Sequence, residues 1–282
     1  MKKLLERPDD FSPVGVVRSD NSAKELRGYG ATDDQIFVGD LLGDQGKANL
    51  QQALKGCDAL VIATSAVPKI KPLSILKVLF AKITRQEGVR PEFTFKADQT
   101  PEQIDWVGQK MQIDAAKENG LKHVVIISSM GGTDRKNFLN TIGDGNILVW
   151  KRRAEKYLVD MSVAMNGNLT YTIVHPGGLT DDAGGDREFI LDIDDNLINK
   201  KDDGSQPKYR RIPRADVAEL CVQCLTIPEA RGKSLDVVCK EKGDAPATTD
   251  FVALLRGLAG SCSYEDMKDD EVLASVRDAA TV

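Results

Sequence analysis

Short apolar, β-branched runs alternate along this chain with segments of helical period, and each run stops at small polar residues. Val14–Val17 runs into Arg18 and Ser19, Gln35–Val38 into Gly39 and Asp40, and Asp58–Ala63 into Thr64, Ser65 and Ala66. Val124–Ile127 runs into Ser128 and Ser129, and Thr170–Val174 into His175, Pro176, Gly177 and Gly178. Strands buried on both faces read as continuous apolar runs, and parallel neighbours need a crossover long enough to hold a helix. The pattern predicts an α/β fold, a doubly wound and Rossmann-like parallel sheet whose ligand edge is where the strands end.

The helices fall between these runs, at Ser22–Arg27, Lys47–Leu54, Pro101–Asn119, Ala215–Leu225 and Asp250–Leu258, with Ser234–Val238 as the last strand. Pro in the first turn and Gly120 as the stop make the third of them the clearest. At 282 residues the chain can bury one sizeable core and little more, so the expectation is a single domain over 1–282. Residues 67–100 break the rhythm with an inserted helical connection, and about 260–282 reads as a charged C-terminal arm.

The insert has an apolar stripe, Leu73, Leu76, Phe80 and Ile83, which predicts a helix packed by that stripe beneath a solvated basic face. Its basic residues at 69–90 leave a second reading, a lid or a docking helix for a protein partner. A net charge of −5 with bases and acids interleaved elsewhere argues against a nucleic-acid surface. No apolar run is long enough to predict a transmembrane segment. Five irregularly spaced cysteines predict a reducing compartment, the cytoplasm or a plastid stroma. Cys221 and Cys224 form a CxxC, but within a helical pattern and without a second pair, which favours packing over metal or redox chemistry.

The chemistry concentrates in residues 122–158. A buried strand delivers the hydroxyls of Ser128 and Ser129 at its carboxyl end, and the helix after the loop carries Lys151. Taken singly, the serines could cap a strand and the lysine could be a surface residue. His123 and His175 stand at a strand start and a strand end without metal partners at useful spacing, and a structural role is expected for both. Asp181, Asp182 and Asp186 lie in a Gly-Asp loop that reads as solvated turns and not as a metal site. A doubly wound sheet normally holds pyrophosphate on a glycine-rich turn after its first strand, and no such turn precedes Val14. The expectation is that a first strand, its glycine turn and most of a helix are missing from the N-terminus. Val14–Val17 and Asp58–Ala63 must then close up, stay apart, or recruit N-terminal residues between them.

The strings VVRSDNSAKEL, FVGDL, DALVIATSAVPK, PEQIDWVGQKMQIDAAKENGLKHVV, SSMGGT, GNILVWKRRAEKYL, YTIVHPGGL, GGDRE and IPRADVAE together resemble the plant and algal, NmrA-like branch of the atypical short-chain dehydrogenase/reductases. They cover most of the chain from 14 to about 258. The resemblance implies an NAD(P)-binding fold. It puts Arg18 and Ser19 at the adenosine phosphate, which favours NADP over NAD, and Asp40 and Leu41 beside the adenine. Thr64, Ser65, Ala66 and Ser128 would pass along the cofactor. Lys151 would hold the nicotinamide ribose, and Pro176, Gly177 and Gly178 would approach the nicotinamide.

In active members of that superfamily a tyrosine one helical turn before the lysine donates the proton; here that position is Ile147. Met111 likewise stands where plant relatives carry Asn. Ser129 and Lys151 remain as catalytic candidates. Two readings follow: an NADP-dependent oxidoreductase acting on an unknown small molecule, or an NADP-sensing regulatory or scaffold protein without turnover. An epimerase or dehydratase is disfavoured, because it would need the missing tyrosine.

Overall fold

The computed structural model describes residues 1–86, 88–199, 205, 207–265 and 267. In chain order the elements are α1 (Lys2–Leu5), β1 (Gly15–Val17), α2 (Asp20–Gly28), β2 (Ile36–Val38), α3 (Asp44–Ala53), β3 (Ala59–Ile62), β4 (Lys69–Ile70), α4 (Pro72–Ile83) and β5 (Phe93–Thr94). A π-helical turn, Glu102–Gly108, leads into α5 (Gln109–Glu118). There follow β6 (His123–Ile127), α6 (Phe138–Thr141), α7 (Ile147–Ala164), β7 (Thr170–Pro176), β8 (Gly178–Thr180), β9 (Phe189–Asp192), β10 (Arg211–Pro213), α8 (Arg214–Thr226), β11 (Lys233–Cys239) and α9 (Phe251–Gly257). Local signals set several boundaries: Ser19 accepts from Ser22 N at the start of α2, Asp250 caps α9, and Gly120 follows α5 at φ +70°.

The main sheet has five strands in the order β3-β6-β7-β11-β9, parallel except for β9, which runs antiparallel to β11. Period-two alternation sends neighbouring residues to opposite faces. Val124, Ile126 and Ile173 pack with Ile113, Tyr157, Leu158 and Met161 under α5 and α7, whereas Val125 and Val174 pack with Leu220, Leu235 and Leu255 under α8 and α9. Cys221 and Cys224 lie buried in the second cluster as free thiols, consistent with packing. Both faces of the sheet are covered, as the uninterrupted apolar runs require.

Of the three arrangements expected for the first strands, the structure adopts separation. Among the described residues β1 pairs only with β2, in a parallel two-stranded sheet, and β3 pairs only with β6. The N-terminal residues supply helix α1, whose end docks on α8 through Lys3 and Arg7, at 2.9 and 2.6 Å from Glu219. A small cluster of Ala23, Ala31 and Ile36 packs under the two-stranded sheet.

Two expectations are corrected. The apolar stripe of the insert is not packed: Leu73, Leu76, Phe80 and Ile83 face solvent, while Ser74 and Ala81 are buried. The helix is tied to the antiparallel β4–β5 pair by a polar residue, the Ser74 hydroxyl accepting from Glu92 N and donating to Lys71 O. The start of the C-terminal segment is no appendage either, since Cys262, Tyr264 and Met267 are buried against the sheet. Residues 266 and 268–282 of the expected arm lie outside the described residues.

Candidate functional site

Parallel register carries the strand ends to one edge. Val17 pairs with Val38, so Arg18 and Ser19 emerge beside Gly39 and Asp40, and Gly39 N donates to Val17 O at 2.9 Å. Arg18 is exposed. Asp40 Oδ1 accepts from Leu42 N, and Leu41 packs against the main core. This loop lies so close to α3 that a Cβ on Gly46 would fall 1.7 Å from Asp40 O, which only glycine permits.

On the main sheet, Ile62 pairs with Ile126 and Ile127 with Val174, so Thr64–Ala66, Ser128–Ser129 and Pro176–Gly178 leave the sheet at one edge. Ser128 N donates to Val174 O and Met130 N to Pro176 O, extending the ladder past the strand end. Gly177 owes its identity to packing: a Cβ there would meet Arg210 O at 2.5 Å and Val238 Cγ1 at 2.8 Å. Gly178 is exposed, and the nearest atoms to a Cβ there lie at 3.5 Å.

Lys151, the first charged residue of α7, is buried with its Nζ 2.8 Å from Asp105 Oδ1. The other oxygen of Asp105 accepts from Ala66 N at 3.1 Å, so one carboxylate ties the lysine to the end of β3. From the same helix face, Gln109 Nε2 donates to Thr64 O and Gln112 Nε2 to Thr64 Oγ1, at 2.9 and 3.0 Å. Sequence reasoning passed over all three, although their spacing of four and three residues marks a polar stripe where an apolar one is usual. Met111 instead packs at the core margin.

The two serines diverge as adjacent strand residues do. Ser129 is half-buried, its hydroxyl donating to Met130 O at 3.0 Å. The Ser128 hydroxyl points inward and donates to Glu155, one turn beyond Lys151. Glu155 also accepts from His175 Nε2 at 3.0 Å and from the Tyr264 hydroxyl at 2.9 Å, while His175 Nδ1 stands 3.1 Å from Asp236 Oδ1. Asp236 accepts in turn from Asp195 N, and Asp195 accepts from Gly131 N and Thr133 N, which ties the network to the loop after β6.

Charge in this network is asymmetric. Burial alone would lower His175, but the Glu155 charge and the hydrogen bonds from its carboxylate neighbours raise it well above the usual histidine range. Burial would raise Glu155; the His175 charge and the bonds from His175 and Ser128 prevail and bring it down to about 2. Asp236 moves the other way, raised by burial and by the Asp195 charge that partly offsets the imidazolium. His175 therefore pairs electrostatically with Glu155 before Asp236. His175, Asp236 and Cys262 bring ligating atoms within 4.8 Å of one another, a grouping that their spacing in the sequence does not suggest.

Neither Tyr157, which follows Lys151 on α7, nor Tyr264, which packs against Glu155, offers a free hydroxyl to this edge. Ile147 opens α7, the Tyr157 hydroxyl donates to Asp114 and is raised by burial and that neighbour, and Tyr264 is buried on Glu155 and Ser234. A cavity of about 520 Å³ lies apart from the strand ends, between the insert and the 138–144 segment, lined by Lys71, Arg90, Phe93 and Phe138 among others.

A mainly parallel sheet with helices on both faces and loops of small polar residues at its carboxyl edge defines a Rossmann-like dinucleotide-binding protein. The chain belongs to the NAD(P)H-binding family, which matches residues 1–228. It is 44% identical over 261 residues to the sanguinarine reductase of Eschscholzia californica, covering 90% of this chain and 88% of that one. An uncharacterized chloroplastic protein of Arabidopsis thaliana is 44% identical over 253 residues, covering 90% of this chain and 69% of its own length. Among solved structures, a candidate NAD-dependent epimerase/dehydratase from Bacillus halodurans aligns with a TM-score of 0.58 at 24% identity, over 90% of this chain and 92% of that one, a likeness of fold.

Proposed function

We propose that this protein binds NADP(H) at the carboxyl edge of its sheet and reduces a small molecule without a tyrosine proton donor. The observation that carries the cofactor reading is Arg18, an exposed guanidinium at the end of β1, beside Ser19 and with no ion pair among the described residues. Arginine there suits the adenosine 2′-phosphate, where an acid would suit a free ribose hydroxyl. Asp40 and Leu41 would flank the adenine, Thr64, Ser65 and Ala66 the middle of the cofactor, and Pro176, Gly177 and Gly178 the nicotinamide; the Ser128 hydroxyl, expected along the cofactor, turns inward onto Glu155 instead. The family match and the reductase relative support an oxidoreductase. The chloroplastic relative supports a plastid location.

The bound nicotinamide supplies a hydride. The chain's own part is to fix the acceptor, with Lys151 on the nicotinamide ribose and the Ser129 hydroxyl on the acceptor's polar atom. Asp105 holds Lys151 at 2.8 Å while its other oxygen accepts from the Ala66 amide, which fixes the lysine beside the end of β3. With Ile147 in the tyrosine position, a carbonyl acceptor must take its proton from solvent or a non-tyrosine group, whereas a cationic C=N acceptor needs none. That favours electron-poor acceptors over simple ketones. Calorimetric titration with NADPH and NADH, followed by NADPH oxidation against quinones, aldehydes and cationic C=N aromatics, tests both parts. Tighter binding of NADH sinks the cofactor assignment, and no oxidation with any acceptor class sinks the oxidoreductase.

A further inference from the structure

Helix α4 turns its widest face to solvent. At 100° per residue, Leu73, Ile75, Leu76, Leu79, Phe80 and Ile83 fall within one arc of about 160°. Their exposures run from 46% at Ile75 to 80% at Ile83, with Phe80 and Leu76 at 62%. Ser74 and Ala81, on the opposite side, are the buried contacts. Val67 and Ile70, before the helix, are exposed beside it. An unbroken apolar surface of this kind is unusual on a monomer and marks something that covers it.

Charge distinguishes the occupants. The whole chain carries −5, yet residues 67–92 hold six bases, Lys69, Lys71, Lys77, Lys82, Arg85 and Arg90, against Glu87 and Glu92, a net +4. The helix itself contains no acid, and Lys77 flanks the apolar arc, its Nζ 2.8 Å from Glu92 Oε1. A second copy laid on this face would bring like charges together. The arc is convex and presents no hydrogen-bonding side chain that would set the register of a protein groove. An apolar arc on a segment of net positive charge is instead the pattern of a helix lying in a membrane interface. At 12 residues it is too short to span a bilayer.

We propose that α4 seats this protein on an anionic lipid surface, the apolar arc entering the boundary between headgroups and acyl chains and the flanking bases meeting lipid phosphates. The test is co-sedimentation of the full chain, without cofactor, with vesicles of phosphatidylcholine alone and of equimolar phosphatidylcholine and phosphatidylglycerol. The unmutated chain binds the mixed vesicles, less as salt rises, and binds pure phosphatidylcholine weakly. Leu76→Glu with Phe80→Glu, at exposed positions where circular dichroism verifies the fold, lowers partitioning at least about tenfold. Lys69→Ala lowers it about fivefold. Absence of binding to the mixed vesicles overturns the proposal, as does binding that is equal on both vesicles or untouched by the double substitution. A lipid-free dimer that Phe80→Glu splits assigns the face to a second copy and overturns it too. None of these outcomes depends on cofactor binding, so the NADP reading stands or falls separately.

Discussion

Arg18 and the two histidines bear the sharpest single-residue consequences. Removing the guanidinium in Arg18→Ala forfeits a charge-assisted contact of roughly 1.5–3 kcal/mol. NADPH affinity should fall by about one to two orders of magnitude while NADH affinity holds; calorimetry showing both falling equally would remove Arg18 from the phosphate. The histidines are driven apart by their surroundings. Burial and the Arg231 charge lower His123 to about 4, whereas the Glu155 charge, outweighing burial, raises His175 well above 6.5. Ring resonances followed by NMR should show one neutral and one charged imidazole at pH 6.5, with no midpoint there. The signs of linkage differ accordingly. His123 binds its proton more weakly folded than unfolded, so its contribution is lost as pH falls from 6.5 toward 4. His175 holds its proton more tightly folded, so its contribution is complete below 6.5 and is lost as pH rises toward its folded value. Each slope reaches up to about 1.4 kcal/mol per pH unit, and urea unfolding across the range should give a histidine-derived maximum near pH 6.5.

At the scale of elements, the joint of β3, the π-helical turn and α7 depends on one carboxylate. Asp105→Ala leaves the Lys151 ammonium buried without its counter-charge and frees the Ala66 amide, a loss of about 3–5 kcal/mol in denaturant unfolding. A loss below about 1 kcal/mol would mean that Lys151 reaches water instead. The sequence offered the residues of this joint but not their meeting. Lys151 stood out because its segment follows two serines at a strand end; Asp105 did not, because its partner comes from a distant helix and only the fold brings them together. Insert helix α4 teaches the converse. Its apolar stripe was plain in the sequence, and the usual inference that such a stripe packs inward failed because the buried side is held by hydrogen bonds of Ser74 with Lys71 O and Glu92 N, which a leucine cannot make.

For the molecule as a whole, the β1–β2 sheet and the five-stranded sheet should differ in stability. The β1–β2 pair rests on a cluster of Ala23, Ala31 and Ile36, whereas β6 and β7 lie between two large clusters. Amides of β1 and β2 should exchange at least about tenfold faster with deuterium than those of β6 and β7, through local opening that spares the main sheet. Equal protection would mean one cooperative unit. The sequence by itself determined the strand-helix alternation, the parallel sense of the sheet, the polar strand ends and the absence of a tyrosine before Lys151, because each is written in local period and spacing. Only the tertiary structure decided that β1 and β3 stay apart from each other, that His175 sits between Glu155 and Asp236, that Tyr264 closes this network, and that α4 keeps its apolar arc in solvent. Those features depend on which side chains from distant segments fill the same space, and burial and pairing between such segments leave no periodic trace along the chain.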